Sequence, residues 1–532
     1  MKNQLTLCTI YLISIYILVS VSVYSQDGTV DSTFGTNGRV MTTILEELKR
    51  SAASDIIIQN DGKILASGEY DNFGKDAVVL VRYNTDGSLD QTFGEDGIVK
   101  SYFNETMVLA GINGLAFQND GKIIVSGYST SSTDFDLAVM RFQVDGQVDS
   151  TFGINGRVLT PIGFTQDYAY DMLVQNDNKI VLAGATHESL IIDGILVRYL
   201  PDGQLDDSFG NGGIVITDFS GGADDFRTLA IQTNGKIVAG GYSNNTATGM
   251  SEFAVAKFNQ DGSMDTSFDE DGKWTSSEQL GIVKSISILN ENKILIAGDD
   301  GAGSLASFAR LNSDGTYDVN FGSDGKLKTN YVGSSADYPS KILVQEDEKF
   351  ISIGVSYYNS HFEMSAQRFN GDGSVDESFG SDGSFFIDLN GQNASWGNAA
   401  AMNNNGSIFI AGNTLNNRRV NVFSLLKLNN NSSPLVSIKD DSNIASSFKL
   451  HQNYPNPFNP TTSISYTIKE YSNVRLEVFN LLGERVSTLV NKVQNTGRYS
   501  YQFDSSGLTS GTYIYRLIAN GSVASKKMII LK

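Results

Sequence analysis

The sequence predicts an all-β protein, a seven-bladed β-propeller with repeats of about 58 residues followed by a small immunoglobulin-like β-sandwich. A motif of the type "DGSLDQTFGEDG" occurs seven times, and its Phe recurs at spacings of 53 to 59 residues. Each copy is followed by a stretch similar to "QNDGKILASG" and by another similar to "DAVVLVRYN". Helix signals are missing, and a fixed period of four-stranded units is typical of a propeller. The repeated Phe residues are Phe34, Phe93, Phe152, Phe209, Phe268, Phe321 and Phe379.

Each repeat contains four predicted strands, which in the first copy are "GRVMT", "AASDIIIQ", "KILASGEY" and "AVVLVRYN". These stretches are rich in β-branched residues and are bounded by turn residues, as antiparallel strands usually are. Asp-Gly or Asn-Gly between the second and third strands supplies the positive φ that a tight hairpin needs. The sixth copy departs from this pattern with Glu348. A β-solenoid is the alternative architecture, although its repeats are usually shorter.

The motif around each repeated Phe is expected to be a structural loop. In "NTDGSLDQTFGEDG", Asp86 is expected to bond the backbone two residues on, Gly87 to adopt a left-handed conformation, and Asp90 to tie the loop a second time. Phe93 is then expected to pack between neighbouring blades. The functional alternative is calcium, because these carboxylates are hard oxygen ligands, although their spacing fits no complete EF-hand. The equivalents of Asp90 are Asp31, Asp149, Asp206, Asp265, Asp318 and Asp376.

Catalysis by the motif is disfavoured, because an active site needs one asymmetric group of residues and these carboxylates recur in every repeat. The three histidines, His187, His361 and His451, lie in different segments, so no metal triad or nucleophile–base pair is evident. A glycosidase-type pair among the 59 acidic residues stays open.

The net charge restricts the possible partners, and the N-terminal segment indicates the location of the protein. With 59 acidic and 39 basic residues the formal net charge is −20, which argues against nucleic acid or an anionic membrane surface as a partner. Residues 1–25 combine Lys2, an apolar run and small residues near Ser25, and therefore predict a secretory signal peptide. An uncleaved membrane anchor is the alternative. After cleavage no transmembrane segment is expected, and the loss of Cys8, the only cysteine, excludes thiol chemistry.

Strand alternation places the motif and the hairpins between the second and third strands at one end of the blades. The other two loops of each repeat share the opposite end and differ between copies, and variable loops on a rigid scaffold are frequent binding sites. Their aromatic residues lie among Asp, Asn and Ser, which suits a glycan or a surface protein as ligand. Alternatively, these rings only pack the loops onto the blades. The candidate ligand-binding residues are Tyr102, Tyr168, Phe226, Tyr331, Tyr338 and Trp396.

The period stops near residue 430, which predicts a propeller over 26–429, a polar linker over 430–447 and a separate domain over 448–532. Apolar alternation in the last segment indicates a small antiparallel sandwich, entered through a proline-rich stretch. That stretch comprises Asn453, Tyr454, Pro455, Asn456, Pro457, Phe458, Asn459 and Pro460.

Both parts resemble known families. The pattern "DGxxDxxFGxxG" over about 27–429 resembles the delta-sixty repeat of bacterial proteins, which implies a propeller-like fold and little chemistry. The fifth copy has Asp269 where the others have Gly, so a distorted corner is expected there. "QNYPNPFNPTT", "VFNLLGERV", "LTSGTYIYRL" and "KKMIIL" are similar to the type A C-terminal sorting domain of the type IX secretion system. That resemblance implies export by this machinery, to the medium or to the outer surface of a Gram-negative bacterium. A carbohydrate-binding or fibronectin-like domain is the alternative.

The sequence thus predicts a secreted or cell-surface binding or adhesion module that needs no cofactor unless the motif binds calcium. The alternatives are an extracellular polysaccharide-degrading enzyme and a structural surface-layer protein. The loops that differ between repeats vary mainly in aromatic and polar residues, which favours binding over catalysis.

Overall fold

The computed structural model describes most of the chain. The described residues are 26–44, 50–71, 76–103, 110–130, 134–163, 166–188, 191–219, 221–276, 281–301, 304–391, 394–434, 448–450, 453, 456, 458, 460–468, 472–480, 484–494, 497–505 and 507–531. Outside them lie the predicted signal peptide with Cys8, residues 435–447 of the predicted linker, and Tyr454, Pro455, Pro457 and Asn459. Within the described ranges, no helix is long and apolar enough to cross a membrane.

The first thirteen strands include three complete blades of four antiparallel strands each. They are β1 (Arg39–Thr42), β2 (Ser51–Ile58), β3 (Ile64–Asp71), β4 (Asp76–Tyr83), β5 (Ile98–Ser101), β6 (Ala110–Phe117), β7 (Ile123–Thr130), β8 (Phe135–Phe142), β9 (Arg157–Thr160), β10 (Gln166–Val174), β11 (Ile180–Glu188), β12 (Ile191–Tyr199) and β13 (Ile214–Thr217). The blades are β2–β5, β6–β9 and β10–β13.

The next fifteen strands continue the same pattern. They are β14 (Asp224–Ile231), β15 (Ile237–Asn245), β16 (Met250–Phe258), β17 (Lys273–Thr275), β18 (Ile282–Ile288), β19 (Ile294–Asp299), β20 (Ala306–Leu311), β21 (Lys326–Thr329), β22 (Ala336–Val344), β23 (Phe350–Tyr358), β24 (His361–Phe369), β25 (Ser384–Ile387), β26 (Ser395–Met402), β27 (Ile408–Leu415) and β28 (Asn421–Leu428). A single 3₁₀ turn, Asn290–Asn292, precedes β19. The blades are β14–β17, β18–β21 and β22–β25.

The seventh blade combines both ends of the propeller. Its strand order is β1-β28-β27-β26, and β1 runs antiparallel to β28 with Val40 opposite Leu425. The innermost strand of each blade contacts the innermost strand of the next, and β26 contacts β2, which closes the ring. The sequence predicted that "GRVMT" groups with the three strands that follow it, and this grouping is wrong by one strand. The first strand of each predicted unit is the outer strand of the preceding blade, as β1 is of the seventh.

The central strands of the blades are buried on both faces, and successive blades bury apolar side chains against each other. The core between the first two blades, for example, joins Leu65, Val78 and Phe93 to Leu115 and Met140. A separate core of this kind forms at each blade junction, so each repeat becomes stable only by stacking on its neighbours.

The C-terminal region forms the predicted β-sandwich. Its strands are β29 (Lys449–Leu450), β30 (Thr461–Ile468), β31 (Ser472–Phe479), β32 (Arg485–Gln494), β33 (Gly497–Asp504), β34 (Gly511–Ala519) and β35 (Ser522–Ile530). Sheet β29-β30-β33 packs on sheet β32-β31-β34-β35 around a common core. Within the proline-rich stretch Asn453 and Phe458 are buried, and the Asn453 N–H donates to the Tyr515 hydroxyl at 2.8 Å.

The predicted start of the linker is wrong for residues 430–434, which pack on the sixth blade. Asn430 is buried, and its Oδ1 accepts hydrogen bonds from Gln345 Nε2 (3.2 Å) and Arg368 Nη1 (3.0 Å). Pro434 forms a bridge with Gln345. The polar composition of this stretch is typical of a linker, but its polar side chains form hydrogen bonds with residues of the propeller.

A repeated backbone hydrogen bond joins each blade to the next. The residue after the motif Phe donates its N–H to the carbonyl oxygen of the first Asp of the following motif, as Gly94 does to Asp145 at 2.9 Å. The ring closes with the same bond from Gly380 to Asp27 at 2.8 Å. The other bonds run from Gly35 to Asp86, Gly153 to Asp202, Gly210 to Asp261, Asp269 to Asp314 and Gly322 to Asp372.

An ion-pair cluster supports each of these joints. Asp90 Oδ2 accepts from Arg82 Nε at 2.7 Å and from Lys63 Nζ at 2.9 Å. The Arg82 guanidinium lies 4.3 Å from the centre of the buried Phe93 ring, within the range of a cation–π contact. Its Nη1 donates to the Val144 carbonyl of the next blade at 2.7 Å. One cation therefore holds the loop, the anchor ring and the neighbouring blade together.

The motif loop makes the hydrogen bonds that a structural loop requires. The Ser88 N–H donates to Asp86 Oδ1 at 2.9 Å, and the Thr92 N–H donates to Asp90 Oδ1 at 3.1 Å. Gly87 has a φ of 87°, and a Cβ there would approach the Phe34 ring of the preceding motif to 3.1 Å. Gly is thus required both by its conformation and by the close approach of the preceding blade.

Calcium at the motif is disfavoured, because a cationic side chain already neutralises each carboxylate of the Asp90 set. The other pairs are Asp31 with Lys427, Asp149 with Arg141 and Lys122, Asp206 with Arg198 and Lys179, Asp265 with Lys257 and Lys236, Asp318 with Arg310 and Lys293, and Asp376 with Arg368 and Lys349. The Asp86 carboxylate accepts both the amide and the hydroxyl of Ser88.

The two departures from the repeat change only local geometry. Asp269 adopts a φ of 45° and keeps the inter-blade bond, while the adjacent Glu270 takes a φ of 65°. Glu348 adopts a φ of 64° in the sixth hairpin, and its Oε1 accepts from Asn290 Nδ2 of the fifth blade at 2.9 Å. The expected distortion at the fifth corner is therefore confined to the loop.

We expect Val40→Asp to lower the free energy of unfolding by about 2–4 kcal/mol, because Val40 packs into the core that closes the ring. Met41→Asp is the matched control on the opposite face of β1, where Met41 is 47% exposed, and it should change stability by less than ~0.5 kcal/mol. Denaturant unfolding of both variants checks this. Equal losses in the two variants would contradict the placement of β1.

We expect the melting temperature to fall between about pH 4 and pH 2. Burial raises the pKa of Asp265 and Asp376, but lysine and serine hydrogen bonds and a further cation, Lys257 or Arg368, outweigh it and hold both at about 2. Each folded-state pKa lies below the unfolded value of about 3.9, so this stabilisation is complete above that value and is lost as the pH falls towards 2.

Thermal melts from pH 6 to pH 2 measure this loss. The double variant Asp265→Asn/Asp376→Asn should melt at a lower temperature at neutral pH and show a shallower decline on acidification. A decline as steep as that of the wild type would show that these carboxylates do not carry the effect.

Candidate functional site

The loops that differ between repeats lie together at one end of the blades, which we call the variable face. They are the β3–β4 and β5–β6 connections and their equivalents, whereas the motif loops occupy the other end. The ion pair of Lys63, in the β2–β3 hairpin, with Asp90 of the motif places those two elements at the same end. The predicted separation of framework loops from variable loops is thus confirmed.

Every innermost strand carries a β-bulge at the same place. The bulged residues are Ser54, Asn113, Tyr170, Arg227, Lys284, Ser340 and Asn398. Small polar members join adjacent blades, as Asn113 Nδ2 does by donating to the Ala169 carbonyl at 2.8 Å. Three consecutive blades instead carry Tyr170, Arg227 and Lys284, so one sector of the ring differs chemically from the rest.

An aromatic group from the second and third blades adjoins this sector and is called the channel-mouth cluster. Its members are Tyr128, Phe135, Tyr168, Tyr170 and His187. The Tyr168 ring centre lies 4.8 Å from Tyr128, 5.5 Å from Phe135, 5.9 Å from Tyr170 and 5.4 Å from His187. Tyr168 itself is half-buried, so rings from the second and third blades surround one accessible tyrosine.

Gly111 explains how Tyr128 reaches this position. The two residues are cross-strand partners, and a Cβ at residue 111 would overlap the Tyr128 ring. The ring therefore lies over the bare backbone of the neighbouring strand. Burial raises the pKa of the Tyr128 hydroxyl, with smaller contributions from Glu69, Tyr168 and Asp76.

A charged pair borders the cluster on the side of the fourth blade. The Arg227 guanidinium lies 4.1 Å from the Tyr170 ring centre, and its Nε is 2.5 Å from Asp225 Oδ2. Asp225 is buried, and burial raises its pKa to about 6 against the opposing charge of Arg227. This places a cation, a weakly acidic carboxyl group and a tyrosine face side by side.

A pair of acidic residues, Glu69 and Asp76, lies on the side of the first blade. Burial raises the pKa of Glu69 to about 7, and the neighbouring Asp76 carboxylate adds to the rise. Burial also raises the pKa of Asp76, while the Ala110 N–H opposes that rise. Glu69 is thus partly protonated near neutral pH and can act there as a hydrogen-bond donor or a proton donor.

A second aromatic cluster lies on the sixth and seventh blades and consists of Tyr338, Tyr357, Phe362 and Trp396. The Phe362 ring centre is 6.4 Å from Tyr338, 5.3 Å from Tyr357 and 6.4 Å from Trp396. Nearby, His361 Nε2 lies 2.8 Å from Glu363 Oε1. Two separate aromatic surfaces therefore occupy the variable face.

Three of the six predicted ligand-binding residues, Tyr168, Tyr338 and Trp396, lie half-exposed within these clusters. Tyr102 is also half-exposed, and its hydroxyl lies 3.4 Å from that of Tyr70 on the first blade.

Phe226 and Tyr331 must be corrected, because both are fully buried. Phe226 packs edge-on against Phe258, and the Tyr331 hydroxyl donates to Ser352 Oγ at 2.5 Å. Tyr331 packs its loop onto the blades, which is the alternative that the sequence left open, and Phe226 belongs to β14 and to the core between two blades.

Sequence reasoning missed Tyr128, Phe135, Tyr170, Arg227 and Glu69 as site residues. Two of these lie at bulges, and no residue pattern identifies a bulge before the strand register is known. An alignment of the seven repeats could have identified two of them, because Tyr170 and Arg227 stand where most other copies carry Ser or Asn.

Physically, this arrangement suits a ligand with both flat apolar faces and hydroxyl or carboxylate groups. The half-exposed Tyr168 ring can stack on a sugar ring, while Arg227, Asp225 and Glu69 offer charged or neutral hydrogen-bonding groups near it.

Comparison with known families accounts for both parts of the chain. Residues 452–531 match the family model of a secretion system C-terminal sorting domain. Residues 59–93, 118–152, 175–209, 232–268 and 291–321 match a β-propeller model described as a domain of unknown function, DUF5122. The predictions of propeller repeats and of a sorting domain are confirmed. The chain is a type IX secreted protein that is released or attached to the outer cell surface.

Two solved structures to which the chain is similar are both distant from it in sequence. The chain is 11% identical to PorZ, a surface component of the type IX secretion system of Porphyromonas gingivalis, covering 90% of this chain and 81% of that chain with a TM-score of 0.23. It is 10% identical to the β-propeller domain of the Trilobed protease from Pyrococcus furiosus, covering 74% and 98% with a TM-score of 0.37. No curated protein matches the chain. These values carry no information on ligand or activity.

We expect Asp76→Asn to lower the pKa of Glu69, because the substitution removes the neighbouring negative charge while the burial of Glu69 persists. Carboxyl NMR of protein labelled at Glu side chains measures the titration, and Glu69→Gln identifies the resonance. An unchanged titration in Asp76→Asn would show that burial alone raises this pKa.

Proposed function

We propose that this type IX secreted protein is an extracellular binding module whose propeller captures a glycan at the channel-mouth cluster. The observation that carries the proposal is the grouping of half-exposed Tyr168 with Tyr128, Phe135 and Tyr170 on the face formed by the loops that differ between repeats. Loops that vary on an otherwise repeating scaffold are where a binding specificity is expected.

The chemistry of the cluster supports a sugar in particular. A pyranose presents C–H groups on one face and hydroxyls at its edge, so it benefits from a ring to stack on and from polar groups beside that ring. Tyr168 and Tyr170 provide parallel ring planes, 8° apart, and Arg227 with Asp225 provides fixed polar groups at their edge. The second aromatic cluster offers a further contact for a long polymer, which would raise the avidity.

A polysaccharide-degrading enzyme is the second candidate, and one observation favours it. Glu69 has a pKa raised to about 7, which is the property of a general acid in glycoside hydrolysis. Its neighbour Asp76 would then be the candidate for the second carboxylate. Asp225 is less suited to that role because Arg227 pairs with it directly.

The test is a binding screen of the purified full-length protein on an array of polysaccharides and glycans. Tyr168→Ala should weaken binding of a hit about tenfold or more, because loss of one stacking ring removes ~1.4 kcal/mol. Tyr168→Phe is the matched control: it keeps the ring and removes only the hydroxyl, which donates to Gln166. It should bind nearly as the wild type does.

Trp396→Ala separates the two aromatic surfaces. If that variant loses binding while Tyr168→Ala retains it, the second cluster is the binding site and the proposed location is wrong. If no polysaccharide binds, the result favours a protein partner or a structural role at the surface.

Incubation of each hit with the protein, followed by analysis of the products, tests the enzyme. If the wild type cleaves the polysaccharide and Glu69→Gln binds it without cleaving it, the protein is a hydrolase or lyase and not only a binding module.

A further inference from the structure

A group of three carboxylates lies on the variable face where the third blade meets the fourth. Asp193 belongs to the third strand of the third blade, Asp218 follows its outer strand, and Asp224 begins the innermost strand of the fourth blade. Each offers one carboxylate oxygen, and these oxygens all lie within 4.8 Å of one another. Asp218 is exposed, so the group opens to solvent on one side.

The buried member of the group has an unused oxygen. Asp224 is 0% exposed, its Oδ2 accepts the Phe219 N–H at 2.8 Å, and its Oδ1 forms no hydrogen bond. A buried carboxylate oxygen facing other carboxylates is costly unless a cation neutralises it.

The repeats supply an internal comparison. Asp167 and Asp337 occupy the same position in the third and sixth blades, and hydroxyl groups saturate them. Thr186 Oγ1 donates to Asp167 Oδ1 at 2.6 Å, and Ser356 Oγ donates to Asp337 Oδ1. In all three blades the carboxylate accepts a backbone N–H from the preceding loop. Asp224 differs from Asp167 and Asp337 because carboxylates occupy both of the neighbouring positions at its blade junction, those of Asp193 and Asp218. At the junctions of Asp167 and Asp337, the place of Asp218 is taken by Pro161 and Asn330.

We propose that Asp193, Asp218 and Asp224 bind a Ca²⁺ ion at the junction of the third and fourth blades. Calcium takes six to eight oxygen ligands at about 2.3–2.6 Å, so two oxygens on one ion lie up to about 5 Å apart, as this group allows. Waters on the open side would complete the coordination.

This site is independent of the proposed glycan binding, although it adjoins it. Asp224 precedes Asp225, the partner of Arg227, and the Gly221 N–H donates to Asp218 Oδ1 at 2.6 Å. A bound ion would therefore join Asp218 of the third blade to Asp224 of the fourth, beside the channel-mouth cluster.

The experiment uses the full-length protein freed of divalent ions with EDTA and then titrated with Ca²⁺. Calorimetric titration and thermal melts should show one site that saturates at about 10⁻⁴–10⁻³ M, the range of extracellular calcium modules, with a matching rise in melting temperature. Asp218→Asn should weaken this affinity at least tenfold, and it should fold normally because Asp218 is exposed. Asp388→Asn is the matched control, since Asp388 occupies the same position at the junction of the sixth and seventh blades.

Three results would overturn the proposal. The first is the absence of both heat and stabilisation in the wild type up to about 10 mM Ca²⁺. The second is an affinity of Asp218→Asn equal to that of the wild type, which would place any calcium elsewhere. The third is an equal loss in Asp388→Asn. A parallel titration with Mg²⁺ should give a weaker response, and an equal or stronger response to Mg²⁺ would contradict the assignment to calcium.

Discussion

The fold depends on one backbone hydrogen bond that is made seven times, from the residue after each motif Phe to the first Asp of the next motif. It is formed at the end of the blades where the chain turns into the outer strand, and the final copy, from Gly380 to Asp27, ties the sixth blade to the first described residues, which lead into β1 of the seventh blade. The side chains of the motif serve this bond. The Asp, paired with an Arg or a Lys, orients the loop, the Phe ring fills the junction, and the Gly beneath it lets the neighbouring backbone approach. Because these roles are geometric, the motif recurs with few changes.

The same arrangement explains why function is expected at the other end of the molecule. One end of every blade is committed to joining neighbours, so sequence differences collect in the two loops of the opposite end. There the ring departs from its symmetry: Tyr170 and Arg227 replace small polar bulge residues, and Tyr128 lies over Gly111. The half-buried Glu69 and the buried Asp225 both have a raised pKa. A scaffold of this kind separates stability from specificity. The sorting domain then delivers the scaffold outside the cell.

Sequence reasoning could predict whatever repeats. The number of blades, the four strands, the roles of Asp86, Asp90 and Phe93 and the position of the variable face all follow from comparing copies and from turn chemistry. It could not predict the offset of one strand, because the covalent order of strands is the same whether β1 closes the last blade or opens the first. It also could not distinguish Tyr168 from Tyr331, since both are tyrosines near variable loops, and only packing decides which ring is buried. The carboxylate group of Asp193, Asp218 and Asp224 joins positions from two blades and emerges only when those blades are placed side by side.

Hydrogen exchange of backbone amides, followed by mass spectrometry on the full-length protein, tests the central claim most directly. If the inter-blade bond holds the ring together, peptides spanning the motif Phe and the following residue should exchange slowly in all seven copies. The one containing Gly380 should be protected to the same degree as the one containing Gly94, while the loops of the variable face exchange faster. Rapid exchange at Gly380 alone would mean an open ring, and rapid exchange at all seven motifs would contradict the account that they are the joints of the fold.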